Sequence, residues 1–238
     1  MRFYRGLSPI KAMTFDLDDT LYDNHPVIRN LERELRSWLV ARFPELDRFE
    51  ASDWMAFKRK AINSHPDLKH DVTKAREKQL SLVFQSIGVA EEEIAEAVSD
   101  TMHQVYLLRN EFEVPDSSIE TLKQLSKTIP LVAITNGNVD LEKIGIAKYF
   151  QLVLKAGPNG KAKPSKDLFQ KASDYLDLNP EHILHVGDHL ISDVSGAKRA
   201  GFQAAWFNDK PRTLTTAAKP SVLPDVEISY IPHLLKLV

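Results

Sequence analysis

Short apolar runs that stop abruptly at polar residues constrain this chain more than any other feature. They are Ala12 to Phe15, Leu131 to Thr135, Phe150 to Leu154, His182 to Val186 and Gln203 to Phe207. Each has strand length and is apolar without alternation, the pattern of strands buried on both faces. Between them the apolar residues recur at helical spacing. Asp116 or Ser117 can cap a helix through Ile119, Leu122 and Leu125, and a helical segment is expected after Asn136-Gly137. Ser165 caps a helix carrying Leu168, Phe169, Ala172 and Leu176, and a shorter one runs from about Ser192 to Gly201. Strands alternating with amphipathic helices imply βαβ units, hence an α/β fold with a Rossmann-like, mainly parallel sheet. The tail from Glu227 to Ile231 adds an expected edge strand.

One stretch lacks strands. From Asn24 to about Glu111 only helical periodicity appears: Val27, Ile28, Leu31, Leu35, Trp38 and Leu39, then Trp54, Phe57 and Ala61. A third helix spans about 71–87 and stops at Gly88, and a fourth covers about 91–110. Such a block is large enough for its own core. The expected domains are therefore a core of 1–22 and 114–238 and an inserted four-helix domain of 23–113.

In parallel α/β sheets ligands bind beyond the carboxyl ends of the strands. That rule gathers Asp16 and Asp18, Thr135 and Asn136, and Asp188 on one rim, with lysines at 161 and 163 in a nearby loop. Crowded carboxylates repel one another and call for a cation, and oxygen ligands suit a hard divalent metal. Acids, a metal and a lysine together make a site for phosphate, whose oxygens they neutralise. Gly187 permits close backbone approach beside Asp188. The chain has no cysteine, which excludes thiolate ligands and a cysteine nucleophile. A formal net charge of −2 provides no general field for nucleic acid or anionic membrane. No apolar run spans a bilayer and the first residues lack a signal-peptide core, so a cytoplasmic location is expected.

Asp16-Leu17-Asp18-Asp19-Thr20, then Thr135 after an apolar strand, Lys163-Pro164, and Gly187-Asp188 followed by Asp193 resemble, in order and spacing, the motifs of the haloacid dehalogenase superfamily. The likeness covers the core, and the helical insertion resembles that superfamily's cap. It implies that Asp16 is the nucleophile forming an aspartyl phosphate and that Asp18 is the general acid and base. It further implies that Asp16, Asp18, Thr135, Asn136 and Lys163 bind phosphate or substrate. Mg2+ would be held by Asp16, Asp188 and the backbone carbonyl of Asp18, with Thr20, Gly187 and Asp193 in support. Pro164 and the helix after it favour Lys163 over Lys161. The dehalogenases of the superfamily lack an aspartate at the position of Asp18, so phosphate-ester hydrolysis or mutase chemistry is favoured.

Within the superfamily, Met1 to Arg5, Thr14 to Asn24 and Val132 to Asn138 resemble bacterial phosphatases of riboflavin biosynthesis. That implies 5-amino-6-(5-phospho-D-ribitylamino)uracil and flavin mononucleotide (FMN) as substrates. The expected partner is a small-molecule phosphate ester, with no nucleic acid and no membrane, and the expected assembly is a monomer or weak homodimer. The rival readings are a phosphomutase, another sugar or nucleotide phosphatase, and a non-catalytic phosphometabolite-binding module.

Overall fold

The computed structural model describes residues 1–210 and 222–238. The chain divides into two compact units, one of residues 1–23, 113–137 and 141–238 and one of residues 24–112 with 138–140.

The first unit is built on a sheet of β1 (Arg2–Phe3), β2 (Ala12–Phe15), β3 (Leu131–Thr135), β4 (Leu152–Lys155), β5 (Ile183–Gly187), β6 (Gln203–Phe207) and β7 (Val226–Ile228). Their order is β1-β7-β6-β5-β2-β3-β4, parallel throughout except for the β1–β7 pair. Strands β2, β3, β5 and β6 are buried at every residue, which explains their unbroken apolar sequences. The chain leaves β2, builds β3 and β4 outward on one side, then returns to place β5 on the other. Strand β2 therefore stands at a topological switch point, where a crevice opens beyond the strand ends. The core packs Val132, Ile134, Phe169, Ile183, Phe202 and Trp206, among others, between sheet and helices. Helices α5 (Asp116–Leu125) and α6 (Asp167–Leu176) belong to this unit. So does the four-residue α7 (Gly196–Arg199), entered through a π-helical turn at Leu190–Ser195.

Several expectations are corrected. The tail strand is not an edge: β7 lies between β6 and the two-residue β1, which closes the sheet antiparallel. No α-helix forms directly after Gly137. Residues 138–146 run through turns, with Gly145 at φ 75°, and only a 3₁₀ turn forms at Ala147–Tyr149. Ser165 does not cap α6, because its hydroxyl donates to Asp167 Oδ1 at 2.6 Å and the helix begins at Asp167.

The second unit contains α1 (Asn24–Arg42), α2 (Ala51–Ser64), α3 (Val72–Ser86) and α4 (Glu91–Arg109). Helix α1 packs on α4, α4 on α3 and α3 on α2. Leu31, Leu35, Leu39, Leu80, Phe84 and Val105 anchor a core separate from that of the sheet unit. Asp71 caps α3, accepting from the backbone N–H groups of Thr73 and Lys74. Among the described residues, no helix is long and apolar enough to cross a membrane.

Candidate active site

The site is assembled at the carboxyl end of β2. Leu17 accepts hydrogen bonds from the N–H groups of Thr20 and Leu21, and Asp19 takes φ 59°, so the chain after Phe15 folds into a tight turn. Left-handed backbone is unusual without glycine, and aspartate is one of the residues that tolerate it. The turn holds Asp16 against the sheet and keeps Asp18 half-buried at its rim.

Lys163 reaches Asp16 from the loop before α6. Its Nζ donates to Asp16 Oδ1 at 2.7 Å and to the Ile134 carbonyl at 2.8 Å, and it pairs with Asp193 Oδ1 at 2.7 Å. The three N–H bonds of the ammonium are thus directed at three acceptors. Lys161 is exposed, and its backbone N–H donates to Asp167. Asn136 holds the Lys163 loop in place: its Nδ2 donates to the Lys163 carbonyl at 3.0 Å and its Oδ1 accepts from the Lys163 N–H at 2.8 Å. The structure therefore puts this side chain on the backbone of the lysine loop, where it braces the site. Thr135 is fully buried, and its Oγ1 accepts from the Gly137 N–H at 2.9 Å, which fixes the rotation of the hydroxyl.

The other acids arrive from β5. Asp188 follows Gly187 directly, its N–H donating to Thr20 Oγ1 at 3.2 Å and its carbonyl accepting from Trp206 Nε1 at 2.9 Å. Thr20 also donates to Asp16 Oδ2 at 3.5 Å, a weak contact. Asp193 sits on the π-helical turn, and its Oδ2 accepts from the His189 N–H at 2.9 Å. A Cβ on residue 187 would overlap the Asp193 side chain, so glycine is needed there for close approach and not for backbone conformation.

Electrostatics follow from this crowding. Burial pushes the Asp16 carboxyl well above its ordinary range; Lys163 opposes the rise, while Asp193 and Asp18 add to it. Burial alone would raise Asp193 too, but the Lys163 ammonium and a hydrogen bond from His185 hold it below the usual carboxylate range. Burial works against the charged form of Lys163, yet Asp16 and Asp193 keep its pKa raised. Desolvation pushes His185 down to about 4, so it is a neutral core histidine, within 2.8 Å of Thr14 Oγ1 and 3.4 Å of Asp193 Oδ1. Asp16, Asp188 and Asp193 each offer an oxygen within 4.8 Å of the others. With one lysine among them, the acids leave excess negative charge, and their hard oxygen donors fit a small divalent cation.

A family model for haloacid dehalogenase-like hydrolases matches residues 10–201. The chain belongs to the haloacid dehalogenase-like hydrolases. It is 40% identical, over the full length of both chains, to the 5-amino-6-(5-phospho-D-ribitylamino)uracil phosphatase YigB of Escherichia coli (strain K12). This end-to-end likeness makes it a phosphatase of the family. Mouse N-acylneuraminate-9-phosphatase is 26% identical over 97% of this chain and 96% of its own. Among solved structures, a 2-haloacid dehalogenase from Pseudomonas syringae pv. Tomato DC3000 superposes with a TM-score of 0.90. It is 31% identical and covers 96% of this chain and 97% of its own. Family motifs pointed to the acids and the lysine. Trp206 carried no such signal, because its indole reaches the Asp188 carbonyl from a neighbouring strand.

Proposed function

We propose that this phosphatase hydrolyses a small soluble phosphate monoester through an aspartyl phosphate on Asp16 and depends on Mg2+. We propose 5-amino-6-(5-phospho-D-ribitylamino)uracil and FMN as its substrates. The observation that carries the chemistry is Asp16 itself, 8% exposed at the end of the central strand, 2.7 Å from Lys163 and clustered with Asp188 and Asp193. The substrate assignment is supported by the full-length likeness to YigB.

In the first step an Asp16 oxygen attacks phosphorus. The bond to the leaving alkoxide breaks, and Asp18 donates its proton to that oxygen, releasing the alcohol. In the second step Asp18, now a carboxylate, takes a proton from water. The water oxygen attacks the acyl phosphate, the phosphorus–Asp16 bond breaks, and inorganic phosphate leaves with Asp18 again protonated. Lys163 acts on Asp16 mainly through charge, opposing the burial that disfavours the ionised nucleophile; Thr135 and the turn after it bind phosphate oxygens. Asp16, Asp188 and the Asp18 carbonyl would hold Mg2+, with Asp193 and Thr20 in support, and the bound ion would neutralise charge on the phosphate. The carboxyl of Asp18 separates this chemistry from dehalogenation, which generates no alkoxide in need of a proton.

The test is phosphate release from a panel of metabolite phosphates, with and without chelation of divalent metal. The ribitylamino-uracil phosphate and FMN should lead the ranking, and EDTA should abolish turnover until Mg2+ is restored. A different leading substrate overturns the assignment to riboflavin synthesis, and turnover unaffected by EDTA removes the metal.

A further inference from the structure

We propose that Tyr22 is a positioning residue for the acid–base carboxylate of Asp18. The inference rests on the proton-transfer role assigned to Asp18 above. Tyr22 lies four residues beyond Asp18 on the far side of the tight turn, and the two form an isolated bridge. The Tyr22 ring is buried, with 4% of its surface exposed, while Asp18 is half-buried. The phenol O–H donates to Asp18 Oδ1 at 2.6 Å. A bond of that length, from a ring that packing holds in place, fixes the rotation of the Asp18 carboxyl group.

The other oxygen is constrained independently. A Cβ on residue 137 would collide with Asp18 Oδ2. Gly137 is not among the residues with positive φ, so its backbone does not demand glycine. The absent side chain serves the Asp18 oxygen: Tyr22 holds Oδ1, and the open side of Gly137 leaves Oδ2 its place. Asp18 must hand a proton to one oxygen and take one from another in successive steps, and both transfers require this fixed orientation. Tyr22 acts through Asp18, whose Oδ1 its phenol holds.

Leaving-group chemistry separates positioning from scaffolding. The departing alkoxide of an alkyl phosphate such as FMN needs Asp18's proton, whereas a dinitrophenolate does not. In Tyr22→Phe, which keeps the ring, kcat/KM for FMN should fall roughly ten- to a hundred-fold. With 2,4-dinitrophenyl phosphate kcat/KM should stay near the wild-type value, while kcat and KM fall together because water attack on the phosphoenzyme slows. Asp18→Asn is the reference and should show the same pattern more deeply. Should Asp18→Asn lose both substrates equally, the acid–base reading fails and the Tyr22 inference with it. If Asp18→Asn discriminates but Tyr22→Phe behaves as wild type, or loses both substrates equally, Tyr22 has no positioning role and only this inference is overturned.

Discussion

Asp16 concentrates the demands of the site in one residue. It is buried by the sheet, bound to a buried ammonium and crowded by further acids. Each of these costs folding free energy unless the others are present, because an unpaired buried charge is strongly unfavourable. Asp16→Asn removes the nucleophile and leaves Lys163 paired with Asp193. An amide cannot attack phosphorus and is a poor Mg2+ ligand. Turnover should drop to background, while thermal melting, followed by circular dichroism, should show a folded protein. Substantial residual activity would remove Asp16 from the nucleophile role. The acids at this scale were legible in the sequence because short motifs place them at strand ends. The disposition of Asn136 was not, since nothing local indicates that its amide would turn to the backbone of Lys163, far along the chain.

At the scale of elements, β5 and the π-helical turn act as one device. Strand β5 delivers Gly187 and Asp188, and the wide turn after His189 swings Asp193 back against the glycine, where its carboxylate meets Lys163. π-helical turns recur at functional sites because the extra residue per turn redirects a side chain. Gly187→Ala puts a methyl group into the space of Asp193. The turn must shift, Lys163 loses an acceptor, and overpacking of this kind costs about 1–3 kcal/mol. The variant should melt lower than wild type, and its Mg2+ requirement, measured as the concentration giving half-maximal rate, should rise. Wild-type melting and Mg2+ dependence would show that the glycine is dispensable. The fully buried strands were readable from sequence, since burial on both faces leaves an unmistakable apolar run. Strand β1 was not, because two exposed residues at an edge carry no periodicity. The segment after Gly137 misled for another reason. Val139, Leu141, Ile144 and Ile146 are buried, but their spacing of two, three and two residues puts them on no single helical face. Asn138 instead donates to Thr73, and Asp140 is held by Tyr106 and Asn110, partners remote in sequence.

At the scale of the whole molecule, chemistry and selection are proposed to reside in different units. Every residue assigned to phosphate handling belongs to the sheet unit, and the helical unit has its own hydrophobic core. The chain leaves and re-enters the sheet unit at adjoining points, since Ser118 Oγ donates to the Leu21 carbonyl at 2.7 Å. We propose that this inserted unit selects the leaving group. Replacing residues 24–112 with a short Gly/Ser linker should therefore leave weak hydrolysis of p-nitrophenyl phosphate. It should erase the ranking among FMN, the ribitylamino-uracil phosphate and sugar phosphates. The same replacement strips residues 138–140 of Thr73, Tyr106 and Asn110, so a full-length Tyr106→Phe variant, which removes only the hydrogen bond from Tyr106 to Asp140, separates the two effects. Tyr106→Phe should keep the wild-type ranking. If it erases the ranking alone, the segment after the phosphate turn sets specificity. If the core without the helices keeps the full ranking, selection lies in the sheet unit and the helices have no part in it.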